Sequence, residues 1–400
     1  MRKQTAGRSV GSAASSTEAG RRVAIVGAGG VIGSHLAPHI ARMPEVEAIT
    51  LIDPGSYEEK NLYGQQINEA DVGRRKAMVQ AERLALHRPQ LTLIPLCQPV
   101  ESVPWGCLRC DVLLACPDSL AVRLYVNQVA WRLGIPWIDA GVRADGLLAR
   151  VNVYEPGCEN PCLECALDDG DYEGAGQSDP CLGEAQAAPT NAPSSLGALA
   201  ASLQAIECYK FLAEGSPISG RQVLLETRFH HYYVTNFALS SACRFDHQTW
   251  DIHPLEISPA ASSIGDLCSR VDSLNGQPTA IRLVGQTLAT CLACTGCGTV
   301  RNILFVCSRI SEGERRCPSC HQRMVAPGPH QRENLLFNEP LEERFKTGSE
   351  QSLAELGLRH GDVLEVIHPG GDTSHIEIRN RQVGIHPPQS LPSPGQEVRT

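Results

Sequence analysis

A glycine-rich loop and one aspartate form the first group of residues whose types and spacing could carry chemistry. Gly27, Gly29, Gly30 and Gly33 lie between an apolar strand pattern and a helical pattern, and Asp53 ends the next strand pattern. Glycines let the backbone approach a phosphate closely, and a helix N-terminus supplies amide donors and a positive dipole. A carboxylate at the end of the second strand can accept hydrogen bonds from ribose hydroxyls. Together these residues predict a nucleotide site.

Three polar side chains farther along the chain favour ATP as that nucleotide. Asn61 and Lys76 are groups that a triphosphate could use, and the ammonium of Lys76 is a point charge suited to phosphate oxygens. Asp118 follows a later strand pattern, where an acidic side chain suits a magnesium ion that bridges phosphates. A helix N-cap is the alternative role for Asp118. The loop also departs from the G-x-G-x-x-G spacing of many NAD sites, because position 32 is isoleucine.

Paired cysteines form the second group. The chain has 17 cysteines, and its first twenty residues have no apolar core of a secretory signal, so C-x-x-C pairs favour zinc in a reducing cytosol over disulfides. Two such pairs, with 19 residues between them, have zinc-ribbon spacing: Cys294, Cys297, Cys317 and Cys320. We therefore expect a zinc-ribbon-like module at 285–330 with a structural or protein-binding role.

The elements that must position the nucleotide residues alternate between strands and helices. Strand patterns lie at 23–26, 48–52, 92–96, 111–115, 136–140 and 149–154, and helical patterns lie at 31–42, 73–87 and 119–133. This rhythm predicts an α/β fold with a Rossmann-like, mostly parallel sheet covered on both faces. A long loop rich in Gly, Pro and Asp follows at 156–193, then a helical pattern at 194–212 and two strand patterns within 221–239.

The composition argues against two classes of partner. A formal net charge of −9 disfavours wholesale binding to nucleic acid or to an anionic membrane. No apolar run reaches the roughly 18–20 residues that a membrane span needs. We therefore expect a cytoplasmic protein, with disordered tails at 1–20 and 383–400.

From residue 22 to about 245 the chain resembles the ThiF/MoeB/HesA family, whose adenylation domain is shared with ubiquitin-activating enzymes. The resemblance rests on GAGGVIGSHLA, LID followed by EEKNL, DVGRRK, ACPDSLAVR, PWIDAGVRADGLLARVNVY, PCLEC and APTNAPSSLGALAASLQAIECYKFL. It implies an adenylation domain over 21–250, with 156–193 as its crossover loop.

The resemblance also implies roles for single residues. Asp53 would hold ribose, Asn61 and Lys76 would contact phosphates, and Asp118 would bind magnesium. Cys181 lies in the crossover loop, where a family cysteine can accept the activated carrier as a thioester or take part in sulfur transfer. Its close neighbours are acidic and would not activate a thiolate, so a structural thiol remains the alternative.

The chain departs from the family pattern at two places. The family loop usually reads G-x-G-G-x-G, and here one residue is extra before Gly33. The family usually has an arginine where this chain has Gly64, and that arginine clamps the ATP phosphates. Losing such a charge-assisted contact should cost a few kcal/mol. Arg74, Arg75 and Arg123 are the candidates to replace it.

PCLEC matches the first half of the structural zinc site of this family. Zinc needs four ligands in a tetrahedron. The second C-x-x-C of the family is missing from the corresponding region, where this chain offers only CRFDH. We therefore expect a site with three cysteines and one histidine: Cys162, Cys165, Cys243 and His247. The alternative source of the second pair is the cysteine cluster at 291–297.

A small β-rich domain is expected over 335–382. Within it, SLAELGLRHGDVLEVIHPGG has a helix–turn–strand pattern that resembles the last part of a ubiquitin-like β-grasp domain. Gly370 and Gly371 are followed by strand-like residues, so a hairpin turn is favoured over a carrier tail. We expect this domain to bind a carrier or another partner.

Three functions remain open on these grounds. The first is an ATP-dependent activating enzyme for a ubiquitin-like or sulfur-carrier protein ending in Gly-Gly, in a bacterial ubiquitin-like conjugation pathway. Asp118, Lys76 and Cys181 would be its catalytic residues, and the resemblance implies a homodimer with a conjugating enzyme as a further partner. The second is a scaffold that keeps the fold without ATP turnover, for which Gly64 is the main support. The third is an NAD-dependent oxidoreductase, which PCLEC and the glycine spacing disfavour.

Overall fold

The computed structural model describes residues 20–175, 192–214, 219–275, 278–326, 334–336 and 351–380. Cys181, the part of the predicted crossover loop at 176–191 and nearly all of both predicted tails lie outside the described residues. Within the described ranges the strands form three sheets. None of the helices in these ranges combines the length and apolarity that crossing a bilayer demands.

The largest sheet has eight strands and carries the glycine loop. In chain order its strands are β1 (Arg21–Val26), β2 (Val46–Ile52), β3 (Thr92–Leu96), β4 (Val112–Ala115), β5 (Trp137–Arg143), β6 (Leu148–Tyr154), β7 (Arg221–Glu226) and β8 (His231–Asn236). Their spatial order is β3-β2-β1-β4-β5-β6-β7-β8. The pairs from β3 to β5 are parallel, and those from β5 to β8 are antiparallel. The predicted α/β class and mostly parallel sheet are confirmed.

Helices cover both faces of this sheet. They are α1 (Gly33–Ala41), α2 (Lys76–His87), α3 (Leu120–Leu133), α4 (Asp169–Ala175) and α5 (Ser194–Tyr209), and a π-helical segment, Lys210–Glu214, continues α5. One core packs the sheet against α1, α2 and α5, and a second packs it against α3. Side chains of β1 alternate between these cores: Val23 and Ile25 face the first, and Ala24 and Val26 face the second. A strand buried on both faces therefore reads as an unbroken apolar run.

A second sheet and a small third one form the C-terminal module. Its elements are β9 (Ile252–Glu256), α6 (Ile264–Asn275), β10 (Ala280–Leu283), β11 (Leu288–Cys294), β12 (Val300–Val306), β13 (Met324–Val325), β14 (Asn334–Leu336), β15 (Val363–Ile367) and β16 (Thr373–Arg379). The five-stranded sheet has the order β14-β10-β15-β16-β9, and the ribbon sheet has the order β12-β11-β13. The module therefore begins at β9, well before the predicted boundary at residue 335, and the ribbon is inserted between two of its strands.

The prediction of a helix at the start of SLAELGLRHGDVLEVIHPGG is wrong. Turns occupy 353–357, and the strand β15 follows. Leu353 and Leu356 are buried in the core of the five-stranded sheet, which accounts for the helix-like spacing. Gly357 has a φ of +87°, so the chain leaves the helical region after one turn. Gly370 and Gly371, both with positive φ, form the turn between β15 and β16.

Candidate functional site

The glycine loop between β1 and α1 leaves no room for side chains at two of its positions. Gly27 has a φ of +78°, and a Cβ there would lie 2.8 Å from the carbonyl oxygen of Cys116. A Cβ on Gly33 would lie 2.1 Å from the carbonyl oxygen of Gly27. The loop therefore folds back tightly on itself, with the N-terminus of α1 directed at the carboxyl edge of the sheet. A phosphate-binding loop of the Rossmann type has this form.

Asp53 lies at the end of β2, directly beside the loop. Its Oδ2 accepts a hydrogen bond from the Gly29 amide at 2.9 Å, and its Oδ1 accepts one from the Gly55 amide at 2.9 Å. Burial raises the pKa of Asp53, while the charge of Lys76 and these two amides lower it. The amides fix the orientation of the carboxylate, and each oxygen keeps a further acceptor position for a ligand hydroxyl.

Lys76 is the first residue of α2 and lies against the glycine loop. A Cβ on Gly29 would come within 2.4 Å of the Lys76 Cβ, so the lysine stem covers the loop where glycine permits it. The Lys76 Nζ is 5.4 Å from the centroid of the Tyr57 ring. The structure therefore brings Gly29, Asp53 and Lys76 together, as their predicted shared role requires.

Asp118 is exposed and follows β4, the parallel neighbour of β1. The N-cap of α3 is Ser119, whose Oγ accepts a hydrogen bond from the Val122 amide at 3.3 Å. The capping role considered for Asp118 thus belongs to the next residue. Asp118 also acts on the pKa of Asp53, which it raises, so the two carboxylates lie near one another. Paired acidic groups at this edge suit a magnesium ion.

Asn61 lies on a 3-10 helix, Glu59–Tyr63, and Gly64 is the residue directly after this helix. The Asn61 Oδ1 accepts a hydrogen bond from the Glu58 amide at 2.9 Å, so this side chain also caps the helix. A Cβ on Gly64 would meet the Val31 Cγ2 at 3.5 Å, an ordinary contact. Gly64 therefore faces the glycine loop, and a side chain there would extend beside it.

The three arginines that could replace the family arginine all have partners. Arg74 binds both carboxylate oxygens of Glu82, at 2.7 and 2.6 Å. Arg75 donates to the carbonyl of Cys97. The Arg123 Nε donates to the Asp139 Oδ1 at 2.7 Å, and Asp139 is fully buried. Each of these three guanidinium groups is thus already engaged by a protein acceptor in this structure.

One buried side chain at this edge was missed in the sequence. Gln204 of α5 is fully buried, and its Nε2 donates to the carbonyls of Ala115 at 3.2 Å and Ile138 at 2.7 Å. Its Oε1 lies 3.1 Å from the Cys116 Sγ. Gln204 thus ties α5 to the carboxyl ends of β4 and β5. A lone polar residue on the apolar face of the 194–212 pattern was the available signal.

The first cysteine cluster brings four predicted ligands together: Cys162, Cys165, Cys243 and His247. The Sγ of Cys162 lies 4.0 Å from that of Cys165 and 3.7 Å from that of Cys243. The His247 Nε2 lies 3.3 to 3.4 Å from all three sulfurs. Tetrahedral zinc, with Zn–S bonds of about 2.3 Å, would separate its sulfur ligands by about 3.8 Å and a sulfur from a nitrogen by about 3.5 Å. The ligand atoms therefore have the spacing of a zinc site.

Two further features of this first cluster fit a metal. The His247 Nδ1 lies 3.1 Å from the carbonyl oxygen of Asn160, which fixes the tautomer with Nε2 as the ligand atom. Burial raises the pKa of Cys162 most, and the neighbouring sulfurs of Cys165 and Cys243 raise it further. Thiolates at this cluster therefore require a compensating cation.

The second cluster lies in the ribbon. It brings together the four cysteines predicted for it: Cys294, Cys297, Cys317 and Cys320. The Sγ atoms of Cys294 and Cys320 are 3.3 Å apart, and those of Cys297 and Cys317 are 3.6 Å apart. The amides of Gly296 and Cys297 point at the Cys294 sulfur, at 3.4 and 3.5 Å. Amide donors of this kind stabilise a thiolate. The structure contradicts the alternative in which this cluster supplies ligands to Cys162 and Cys165, because the two sets of ligand atoms form separate clusters.

Fold and site together define a Rossmann-like nucleotide-binding domain with an appended ribbon module. A family model described as "ThiF family" matches residues 3–249, more than half of the chain. The chain belongs to the ThiF family.

Several relatives match a shorter part of the chain. The adenylyltransferase and sulfurtransferase UBA4 of Yarrowia lipolytica is 32% identical over 150 residues, 36% of each chain. The sulfur carrier protein ThiS adenylyltransferase of Escherichia coli is 30% identical over 37% of this chain and 59% of its own length. The NEDD8-activating enzyme E1 catalytic subunit of Saccharomyces cerevisiae is 26% identical over 37% and 51%. The chain thus spans between about a third and three fifths of these relatives.

Among solved structures, that of Escherichia coli MccB with ATP has a TM-score of 0.46 and 23% identity. It covers 56% of this chain and 66% of that chain.

Proposed function

We propose that this protein is an ATP-dependent activating enzyme for a ubiquitin-like or sulfur-carrier protein whose chain ends in Gly-Gly. The observation that carries the proposal is the meeting of the glycine loop, Asp53, Lys76 and Asp118 at the carboxyl edge of β1, β2 and β4. Membership of the ThiF family supports it, because relatives are named as adenylyltransferases and activating enzymes.

The reaction forms an acyl-adenylate. A carboxylate oxygen at the carrier C-terminus attacks the α-phosphorus of ATP, the bond from that phosphorus to the bridging oxygen breaks, and pyrophosphate leaves with the electron pair. Loop amides between Gly29 and Gly33 hold the phosphates, and Asp53 holds the ribose. Lys76 neutralises charge that develops on the leaving pyrophosphate. Asp118 would hold a magnesium ion, which when bound supplies further charge neutralisation at the phosphates.

Further steps of this proposal concern the partners. Cys181 would accept the acyl group as a thioester, with AMP as the leaving group, and a conjugating enzyme would receive it. The setting would be a bacterial ubiquitin-like conjugation pathway in the cytoplasm, with the chain as a homodimer. Both cysteine clusters would hold zinc in a structural role; the ligand spacing and the Nδ1 contact of His247 support this part.

A second candidate is a scaffold that keeps the fold without ATP turnover. Two observations favour it: glycine at position 64, and the partners that already engage Arg74, Arg75 and Arg123. Such a scaffold would recruit a carrier or a conjugating enzyme through its C-terminal module.

Pyrophosphate exchange with labelled ATP, measured with candidate β-grasp carriers, tests the activity. We expect exchange in the native chain and its loss in Asp118→Ala. The matched control is Asp272→Ala, because Asp272 is an exposed aspartate of α6 in the other module. If no carrier supports exchange and the native chain binds no ATP, the activity is refuted and the scaffold is favoured. Equal exchange in the native chain and Asp118→Ala would refute the role of Asp118.

A further inference from the structure

The first cysteine cluster lies directly before the C-terminal module along the chain. Two of its ligand residues, Cys243 and His247, precede β9, which is the first strand of that module. The other two, Cys162 and Cys165, lie much earlier in the chain, shortly after β6 of the large sheet. Residues 243–250, here named the junction segment, therefore run from a cluster anchored in one module to the sheet of the other.

Arg132, in the last turn of α3, holds the junction segment in place. Its Nη1 and Nη2 donate to the two carboxylate oxygens of Asp246 at 2.6 and 3.0 Å, and Nη1 also donates to the Gln248 carbonyl at 2.8 Å. The Trp250 amide returns a hydrogen bond to the Arg132 carbonyl at 3.0 Å. The guanidinium carbon lies 4.7 Å from the ring centroids of both Phe245 and Trp250. The segment is therefore fixed between the cluster and α3.

Trp250, the last residue of the junction segment, is sandwiched between the two modules. Its ring stacks on Trp105 of the adenylation domain at 5.6 Å and on His375 of β16 at 3.7 Å, with interplanar angles of 22° and 13°. Burial, with a smaller effect of Arg132, lowers the pKa of His375 to about 4. His375 is therefore a neutral ring at neutral pH, and it can stack close to a guanidinium without repulsion.

Backbone contacts close the same interface. The Gly106 amide donates to the Gly361 carbonyl at 2.7 Å, and a Cβ on Gly106 would lie 2.8 Å from the Gly361 Cα. The Arg109 Nε donates to the Glu377 Oε2 at 2.8 Å. The Gly106 amide is thus hydrogen-bonded across the interface, so we expect its exchange with solvent to report on the separation of the two modules.

We propose that the first cluster has a second function: metal bound there holds the C-terminal module against the adenylation domain. Ligation joins Cys243 and His247 to Cys162 and Cys165, and so fixes the start of the junction segment that places Trp250 between Trp105 and His375. Without metal, the segment keeps its contacts with Arg132, the edge contact of Phe245 with Trp131 and the contact of His247 with Asn160, but it loses the ligand bonds that fix its start. This inference rests on metal binding at the cluster and is independent of the proposed adenylation.

Amide hydrogen exchange on the full chain tests the proposal, with the Gly106 amide as the probe and the Leu113 amide of β4 as the internal reference. Cys165→Ser removes a ligand of the first cluster, and Cys297→Ser is the matched control in the second cluster. We expect each variant to lose one of two zinc equivalents. Only Cys165→Ser should accelerate exchange at Gly106, by about tenfold or more, since a buried stack and its hydrogen bonds are released.

A second measurement separates docking from folding. In the Cys297→Ser chain, a chelator should accelerate exchange at Gly106, and added zinc should restore protection. Trp250→Ala should retain zinc at both clusters and still accelerate Gly106 exchange. The proposal is overturned if zinc leaves the first cluster while Gly106 stays protected. It is equally overturned if Leu113 exchange rises as much as that of Gly106, because the metal would then support the domain core and not the docking.

Discussion

Replacing Gly64 by arginine should strengthen ATP binding. Gly64 has a φ of −120°, which a residue with a side chain adopts without strain. A Cβ there would lie 3.5 Å from the Val31 Cγ2 and 3.9 Å from the Ala192 carbonyl oxygen, so the first atom of a side chain fits at ordinary contact distances. Because Val31 belongs to the glycine loop, an arginine from this position extends beside the predicted phosphate site.

The size of the effect follows from the new contact. A charge-assisted hydrogen bond contributes about 1.5–3 kcal/mol, which corresponds to an increase in affinity of roughly 10- to 150-fold. Part of this is lost when the long side chain is ordered, so we expect about tenfold for Gly64→Arg. Isothermal titration of MgATP into the full chain measures it.

Gly64→Met is the matched control, because methionine has a similar length without charge. We expect Gly64→Met to bind ATP as the native chain does. Equal affinities for Gly64→Arg and Gly64→Met would refute the reasoning, since the position would then not face the phosphates. A loss of affinity in both variants would refute the claim that there is room beside Val31.

Three further outcomes follow from packing and charge. Arg309→Met should destabilise the C-terminal module by about 3–5 kcal/mol, because it leaves the buried carboxylate of Asp362 without its bidentate partner. His375→Phe should reduce the loss of module stability between pH 6.5 and 4. The folded pKa of His375 lies below its ordinary value, so the unfolded chain binds the proton first as the pH falls. Gly33→Ala should weaken ATP binding more than tenfold, since its Cβ would clash with the backbone of Gly27.

Each of these outcomes has its own check. Urea unfolding should show that adding Asp362→Leu to Arg309→Met recovers most of the lost stability; a double variant as unstable as the single one would contradict the buried-charge argument. For His375, unfolding midpoints of both chains are compared across the pH range, and parallel curves would contradict the linkage. For Gly33→Ala, unchanged ATP affinity by titration calorimetry would show that the loop does not bind the phosphates.

Much of the adenylation domain could be predicted from local patterns. Six strand patterns and three helices before residue 155 lie within a few residues of their observed positions, because apolar runs and 3.6-residue periodicity are local properties. The ends were less predictable. The 73–87 pattern becomes a helix only at Lys76, since Gly73 has a φ of +85° and Arg75 is extended. The prediction of a short helix near Leu353 was wrong. Buried leucines in a turn have the same spacing there as the apolar face of a helix.

The two cysteine clusters also show which features the sequence predicts and which only the structure decides. The residue types and the C-x-x-C spacing were enough to select the eight ligand candidates, because tetrahedral zinc restricts both. Whether CRFDH or the ribbon completes the first cluster was open in the sequence. The structure decides it, since Cys162 and Cys243 are joined through the packing of α3 against the sheet and not through any local pattern.

By itself, the sequence determined the glycine loop, the candidate acidic and basic partners of that loop, the candidate metal ligands and the parallel half of the large sheet. Only the tertiary structure decided that β9 and β10 join β15 and β16, that Arg74, Arg75 and Arg123 are engaged, and that Trp250 joins the two modules. The physical reason is distance along the chain. Spacing and periodicity record what a segment does with its neighbours, whereas a stack between Trp250 and His375 depends on how whole elements pack.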